Sequence, residues 1–471
     1  MKEIKGRVHF IGIGGSGMSG LAELLLGRGH QVSGSDVKAS QVTAKLERMG
    51  ARVSIGHRAE LVEGAELVVV STAIRPENPE LVRAQQLGLP IWHRSDLLAW
   101  FMQQQEGIGI AGAHGKTTTT GMVATMLLQA GLDPTVVVGG TFRTIGGNAR
   151  LGQGRYLVAE ADESDGSFLK LPIKYGVVTN IEADHLDYYG DLSKIITAFR
   201  TYLNRLPGDG LAVLGIDNPL TASLAAEHKG PKLTYGFAAT ADYRVEEPVR
   251  EGAWQVATVY EGGQKLGQLR LAVPGRHNAV NALAAVALGR HFGLSFPAIA
   301  DGLAQFQGVM RRFETLGRHL GIWVVDDYAH HPTEVQATLK AARQTGPRRL
   351  VACFQPHRYT RTKFLGEEFA QSFAEADLVL LTDIYSAGED PIPGVSTEGI
   401  IAAMPAEVRV RTLYCPTLPQ LKEKLLQILK PGDLVLTMGA GNIRQVGEEL
   451  AQILLEAEKE GRQLWTEVAS G

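Results

Sequence analysis

The stretch that most restricts the fold is residues 107–120, Gly-Ile-Gly-Ile-Ala-Gly-Ala-His-Gly-Lys-Thr-Thr-Thr-Thr. An apolar run ends in a tight glycine turn, and a lysine and threonines then open a helix. A strand–turn–helix of this kind turns backbone N–H groups and the positive end of the helix dipole toward an anion. Lys116 would reach the outer phosphates of a nucleotide, and the Thr117 hydroxyl would sit on Mg²⁺. The strict nucleotide loop needs a glycine where Ile110 stands, so only Gly112-x-x-Gly115-Lys116-Thr117 remains of it. The plain alternative is a glycine turn beside a solvated lysine. The order of lysine, hydroxyls and helix favours the nucleotide.

At 471 residues the chain has room for about three domains. A net charge of -3, with acids and bases interspersed, leaves no electrostatic footprint for nucleic acid or an anionic membrane. Cys353 and Cys415 have no CxxC spacing, which argues against a disulfide framework or a cysteine zinc site and fits a reducing compartment. The opening Met1-Lys-Glu-Ile-Lys-Gly has no apolar h-region. No uncharged apolar run reaches the roughly 18 residues of a spanning helix. The expectation is a cytoplasmic protein without membrane insertion.

In residues 1–100, Val8-His-Phe-Ile-Gly-Ile reads as a buried strand leading into Gly12-Ile-Gly14-Gly15-Ser16-Gly17. A helix over 18–29 and a strand ending on Asp36 follow. That order is the dinucleotide fingerprint: glycines admit a pyrophosphate, and Asp36 would bind a ribose hydroxyl. The pattern reports only a diphosphate on a helix N-terminus. NAD(P), another nucleotide such as a nucleotide sugar, and an empty turn all stay open. Ser71 and Thr72, after the strand-like Leu67-Val-Val-Val, and His93 are further candidate contacts.

In residues 101–313 the spacing predicts a helix over 117–130, then a strand Tyr156-Leu-Val-Ala-Glu160 whose acid suits Mg²⁺. A third strand leads into Glu182-Ala-Asp184-His185-Leu-Asp187, dense in metal-ligand types, although imidazole is an unusual partner for Mg²⁺. Residues 232–273 alternate apolar and polar and read as a hairpin-rich insert. His277, Asn278 and Asn281 then cluster at a helix start. A cap needs one of them, so the others suggest base or ribose contacts. Arg311 and Arg312 close the segment.

Residues 314–471 contain four strand–loop–helix units, which argue for a doubly wound sheet with its polar loops on one face. Arg358 and Arg361, three apart, suit a carboxylate clamp, with solvated arginines as the alternative. The polar end from Glu456 onward is expected to fray.

Gly112-Ala113-His114-Gly115-Lys116-Thr117-Thr118, Glu160-Ala-Asp-Glu-Ser-Asp165, Thr179-Asn-Ile-Glu-Ala-Asp-His185 and Gly275-Arg-His-Asn-Ala-Val-Asn281 resemble the motifs of the Mur ligases. Four more strings resemble the alanine-adding branch of that family: His9-Phe-Ile-Gly-Ile-Gly-Gly-Ser-Gly-Met18, Asp326-Asp-Tyr-Ala-His-His-Pro-Thr-Glu334, Phe354-Gln-Pro-His-Arg-Tyr-Thr-Arg-Thr362 and Asp383-Ile-Tyr-Ser-Ala-Gly-Glu389. The likeness is collinear over about residues 8–445.

The resemblance implies an α/β chain of three domains. They are a Rossmann-like UDP-substrate domain at 1–100, a P-loop-type ATPase domain with a small β insert at 101–313, and a Rossmann-like, doubly wound amino-acid domain at 314–471. It gives the UDP end to Gly12, Gly14, Gly15, Ser16, Gly17, Asp36, Ser71 and Thr72, which sets aside NAD(P) and with it an NAD-dependent dehydrogenase. It gives ATP to Gly112, Ala113, His114, Gly115, Lys116, Thr117, Thr118, His277, Asn278, Asn281 and Asp327.

In the same way it assigns Lys116, Glu160, His185 and Arg312 to catalysis. Thr117 and Glu160 would serve one Mg²⁺, with Mn²⁺ as a substitute, and His185 a second. Tyr328, His330, His357, Arg358 and Arg361 would face the amino acid. The implied reaction joins L-alanine to the lactyl carboxylate of UDP-N-acetylmuramate through an acyl phosphate, the first peptide step of peptidoglycan precursor synthesis, in a monomer or homodimer. Sister ligases carry a carbamylated lysine; the corresponding helix here has Lys194 and Arg200, and no modified lysine is assigned. A recycled-peptide ligase and a non-catalytic nucleotide-binding regulator are the competing readings.

Overall fold

Val8–Ile11 is buried along its whole length, as a strand covered by helices on both faces must be. The structure, a computed structural model, describes residues 3–462, with every side chain except that of Asp187. The outer part of the tail expected to fray, 463–471, lies outside the described residues. These residues form three sheets. The first is wholly parallel, in the order Arg52–Ile55, Val32–Asp36, Val8–Ile11, Leu67–Val70, Ile91–His93. The chain order reverses between Val8–Ile11 and Leu67–Val70, which puts a switch-point crevice beyond their carboxyl ends, at the loop 12–17.

The second sheet has eleven strands. Glu106–Ala111 lies parallel between Ile173–Val178 and Tyr156–Glu160, so the phosphate loop leaves the middle of the sheet. The helix after it, Lys116–Gln129, is buried continuously from Thr118 to Leu127. The region expected as a hairpin-rich insert turns out to extend this sheet. Lys232–Gly236 continues it in parallel, Tyr243–Val245 adds another parallel strand, and only Trp254–Glu261 with Gln264–Leu271 forms a long hairpin.

The third sheet runs Glu314–His319, Ile322–Asp327, Asp433–Met438, Arg349–Phe354, Leu378–Leu381, Thr412–Tyr414. Only its first pair is antiparallel. The helix Arg444–Lys459 buries Leu454 and Ala457, so the fraying expected from Glu456 does not begin there.

The chain divides into two units: Met1–Val249, Val256–Ala272 and Asn278–Val309, and Arg250–Gln255, Val273–His277 and Met310–Gly471. The first two sheets share the first unit and a continuous core, running from Val8 and Phe10 through Leu97 and Phe101 to Phe168 and Tyr202. Burying each such ring stabilises by about 1.5–3 kcal/mol. The helix Ser16–Gly27 lies close to the second sheet, because a side chain at Gly20 would meet Ala149 Cβ at 3.1 Å. Among the described residues no helix is long and apolar enough to cross a membrane.

Candidate active site

The phosphate loop keeps its shape because two of its glycines have no substitute. Gly112 has φ +135°, and a Cβ there would collide with Thr179 Oγ1. Gly115 has φ +83°, and a Cβ would lie 2.8 Å from Asn281 Oδ1. The next strand end pins the loop: Ala113 N–H donates to Asn180 O (3.1 Å), His114 N–H to Asn180 Oδ1 (2.9 Å), and Thr179 Oγ1 to His114 O (2.6 Å). Asn281, expected at the nucleotide, thus sits against the turn, and its amide lies 3.4 Å from Asn278 Oδ1. His114 Nε2 is 3.2 Å from Glu182 Oε2.

The Lys116 ammonium folds back over the loop. It donates to Gly112 O (2.6 Å) and Ala113 O (3.3 Å) and pairs with Glu163 Oε1 at 2.7 Å. The two side chains are only 15% and 4% exposed. Burial pulls the ammonium's pKa down, but Glu163 and Asp162 outweigh it, so Lys116 is charged and its pKa raised. Asp162 is held at about 2: burial raises it, and Lys116 and Arg94 more than offset that.

The residues expected at the metal lie close by. Glu160 Oε1 accepts from Gly139 N–H (2.6 Å), and a side chain at Gly140 would approach Thr117 Cγ2 at 3.7 Å. The backbone at Gly139 and Gly140 therefore faces both Thr117 and Glu160. His185 adopts φ 54°, and its Nε2 lies 3.7 Å from Glu163 Oε1 and 3.6 Å from Asp184 Oδ2. Glu163 Oε2 is buried without a hydrogen-bond partner among the described residues. Hard oxygen donors with one buried, unsatisfied carboxylate oxygen fit Mg²⁺ or Mn²⁺.

In the 12–17 loop, Gly14 N–H donates to Asp36 Oδ2 at 2.9 Å, so the acid is tied to the turn it follows. Gly12 has φ +79°, and a Cβ there would lie 3.3 Å from Ile74 Cδ1, just past Ser71 and Thr72. Ser16 opens the helix, and its carbonyl accepts from Asn148 Nδ2. Gly17 faces Arg94: a Cβ there would be 3.4 Å from Arg94 Cδ. Arg94 Nη2 in turn bonds Asp162 Oδ2 at 2.8 Å. One arginine therefore links the first glycine loop to the acidic loop that holds Lys116.

In the second unit the predicted amino-acid residues form a row of rings. Tyr328 and His330 lie 5.1 Å apart, His330 and His357 6.1 Å, and His357 stacks on Tyr385 at 5.6 Å. Arg312 lies over Tyr328 at 5.4 Å and 3.6 Å from Glu334 Oε1. Asp327 accepts from Phe313 N–H (2.7 Å) and Ala329 N–H (2.8 Å). Burial lifts its carboxyl to about 6 against the pull of Arg312. Arg358 has φ 70° and precedes the helix Tyr359–Ala370, so the three-residue spacing does not stack Arg358 and Arg361 on one helical face. Arg358 Nη1 lies 3.6 Å from Glu389 Oε1, and Arg361 Nη1 3.4 Å from His357 Nδ1.

Three family models match in the same order. They are the Mur ligase family catalytic domain at residues 7–106, the Mur ligase middle domain at 110–289 and the Mur ligase glutamate ligase domain at 311–441. A UDP-N-acetylmuramate–L-alanine ligase of Pelotomaculum thermopropionicum is 52% identical over 458 residues, 97% of this chain and 99% of its own length. The chain belongs to the Mur ligase family. A ligase of the same name from Carboxydothermus hydrogenoformans is 50% identical over 94% of this chain and 96% of its own.

Among solved structures, the UDP-N-acetylmuramate-alanine ligase of Thermotoga maritima superposes with a TM-score of 0.82 at 31% identity, covering 96% of this chain and 99% of that one. A murein peptide ligase of Psychrobacter arcticus reaches 0.71 at 26% identity, covering 96% and 99%. The three-domain Mur ligase architecture is thus present, one sheet to each domain.

Several residues of this Mur ligase escaped the sequence reading as site members. Glu163 lay inside a quoted motif, but nothing local separates it from Glu160, Asp162 and Asp165. Asn180 ended a predicted strand and gave no sign that it ties the loop. Arg94 is 68 residues from its partner Asp162. Glu389 and Tyr385 belonged to a matched string without a role. His277 is exposed at the start of the helix Arg276–His291, whereas Asn278 and Asn281 on it are buried.

Proposed function

We propose that this Mur ligase joins L-alanine to the lactyl carboxylate of UDP-N-acetylmuramate with hydrolysis of ATP to ADP and phosphate. The observation that carries the reading is the continuous set of contacts Gly17–Arg94–Asp162 and Glu163–Lys116, which ties a diphosphate-type loop to a phosphate loop within one unit. The names of relatives about half identical over nearly the whole chain support it. The division at 1–100, 101–313 and 314–471 gives the UDP-substrate, ATP and amino acid a domain each.

A carboxylate oxygen of the UDP-substrate attacks the γ-phosphorus, the bond to the ADP oxygen breaks, and an acyl phosphate forms. The alanine amine then attacks the acyl carbon. The tetrahedral intermediate expels phosphate, and the amine gives up its proton. Two anions meet in the first step, so fixed positive charge must lie where their charge gathers. Lys116 supplies it, exchanging Glu163 for the transferring phosphoryl group, and the loop of Gly112, Ala113, His114, Gly115, Thr117 and Thr118 holds the phosphates, with the Ala113 and His114 N–H groups kept on Asn180 to fix its shape.

Gly12, Gly14, Gly15, Ser16 and Gly17, with Asp36, Ser71 and Thr72, hold the UDP end. Thr117, Glu160 and His185 would hold Mg²⁺ or Mn²⁺, which screens the phosphate charge when bound. Asn278, Asn281, His277, Asp327 and Arg312 are assigned to the nucleotide. Arg358 and Arg361, with Tyr328, His330 and His357, take the alanine carboxylate and its surroundings. We place the protein in the cytoplasm, as a monomer or homodimer.

The test is phosphate release from ATP, which should require UDP-N-acetylmuramate and L-alanine together. Release that ignores either one rejects the reading. The murein peptide ligase likeness motivates a second reading, attachment of a preformed peptide. A competition between alanine and a tripeptide decides between them.

A further inference from the structure

Arg312 sits between two residues whose backbones take a conformation that L side chains rarely adopt. Arg311 has φ 62° and Phe313 φ 50°. Strain of this kind persists only where the surroundings impose it. Here three hydrogen bonds do so. Arg311 N–H donates to Glu314 Oε2 at 2.8 Å, Arg311 O accepts from Tyr328 N–H at 2.7 Å, and Phe313 N–H donates to Asp327 Oδ2 at 2.7 Å. The turn is therefore clamped on both sides of Arg312.

Behind the turn lies a buried ionic cluster. The strands Glu314–His319 and Ile322–Asp327 place Glu314 opposite Asp326. Both are buried, and like charges directly opposite each other on paired strands repel. Two arginines hold them. Arg444 opens the helix Arg444–Lys459, and its Nη1 donates to Glu314 Oε2 at 2.6 Å and to Asp326 Oδ2 at 3.3 Å. Arg311 Nε donates to Asp326 Oδ2 at 3.3 Å, and its Nη2 to Gly439 O at 2.6 Å. Stability alone does not call for such a cluster, because well-packed apolar side chains of similar volume serve a core as well or better. What the cluster does is fix a backbone. One oxygen, Glu314 Oε2, takes both the Arg311 amide and the Arg444 guanidinium, so the helix braces the turn. The guanidinium groups of Arg311 and Arg312 both lie over the Tyr328 ring, at 4.7 and 5.4 Å. The first is held by Asp326 and Gly439, and the second is the one assigned to the nucleotide.

We infer that Glu314 is a positioning residue: braced by Arg444, it holds the left-handed turn at Arg311 and so sets the direction in which Arg312 meets the nucleotide phosphates. This rests on the function proposed above, in which Arg312 serves the nucleotide. Glu314 touches no substrate and acts through Arg312.

Steady-state phosphate release by the full-length protein, with ATP, UDP-N-acetylmuramate and L-alanine, tests it. The variants are Glu314→Ala, Glu314→Gln, Arg312→Ala and the double variant Glu314→Ala with Arg312→Ala. Arg312→Ala should cut kcat/KM for ATP by about 10²- to 10³-fold, and Glu314→Ala by about 10- to 100-fold. Glu314→Gln keeps an acceptor oxygen for the Arg311 amide and should recover most of that loss. KM for UDP-N-acetylmuramate should stay within about twofold throughout, because its proposed loop lies in the other unit. The double variant should be no slower than Arg312→Ala, since the carboxylate acts only through that arginine. A general structural lesion would multiply the two losses instead, and multiplied losses overturn the inference. So does a Glu314→Ala enzyme whose kcat/KM for ATP lies within about twofold of the parent, or a Glu314→Gln enzyme as slow as Glu314→Ala. Should Glu314→Ala not fold, Arg444→Gln loosens the same brace from outside the turn and enters the same cycle, with an expected loss of about three- to tenfold. If Arg312→Ala matches the parent, the assignment of Arg312 to the nucleotide fails, and this inference falls with it.

Discussion

Two cationic sites in this molecule are built in opposite ways. Lys116 is buried and already holds a carboxylate and two carbonyls. Arg358 is 43% exposed, stands outside its helix, and keeps Glu389 at 3.6 Å. The difference separates fixed charge from adaptable charge. A phosphoryl group in flight needs a cation already held in place, which here has only to exchange Glu163 for a phosphoryl oxygen, whereas a small amino acid can order its own clamp as it binds. Glu163 marks the contrast: it keeps Lys116 charged in a place where burial works against charge.

The largest effects should come from splitting the buried pair. Lys116→Met strips Glu163 of its buried partner and should lower unfolding free energy by about 3–5 kcal/mol, and Glu163→Gln by less, because Asp162 still faces Lys116. The double variant should lose less than the two single losses summed, because neither ion is then stranded. Urea unfolding of all four proteins measures this, and strict additivity would refute the coupling. In turnover, Lys116→Met should cut phosphate release by roughly 10²- to 10³-fold, as loss of one fixed transition-state donor does. A loss under about tenfold would show that the lysine is not at the phosphoryl group.

The exposed site should behave differently. Arg358→Ala or Arg361→Ala should raise KM for alanine by the loss of a charge-assisted bond, about 1.5–3 kcal/mol, while KM for ATP stays put. Unfolding free energy should move by no more than about 0.5 kcal/mol, as for a surface substitution. Parallel rises in both KM values would remove these arginines from the alanine carboxylate.

The same contrast explains what was legible in the sequence. The strand, glycine turn and lysine at 107–120 are local, and the structure holds them as written. Glu163 is also local in sequence, yet which of four neighbouring acids turns toward Lys116 depends on Tyr189, whose hydroxyl bonds the Glu163 carbonyl at 2.6 Å, and on the strand ends around it. Residues 1–100 and 101–313 read as separate domains, and nothing in the sequence revealed that their two sheets share a continuous core, which glycines on the helix Ser16–Gly27 permit by letting the second sheet approach closely. The strands Glu314–His319 and Thr412–Tyr414 lie at the two edges of their sheet and are only partly buried, so they lack the continuous apolar run that betrays a central strand. The region 232–273 alternated as hairpins do, and nothing in alternation distinguishes a separate hairpin layer from strands that extend an existing sheet.

The smallest effect concerns His357, on the exposed side of the comparison. Burial, followed by Arg361 and Arg358, lowers its imidazole from the ordinary 6.5 to about 4. At neutral pH the ring is uncharged, so the arginines beside it must supply the positive charge for a carboxylate. Between pH 6.5 and about 4 the unfolded chain takes up a proton that the native ring refuses. Its contribution to stability is therefore complete above pH 6.5 and is lost as pH falls through that window. Allowing for partial solvent screening, the loss is on the order of 2 kcal/mol. Urea unfolding at the two ends of the window should show His357→Gln losing that much less than the parent. Identical losses would mean that His357 titrates normally, and that the stacked ring against Tyr385 does not shield it from water.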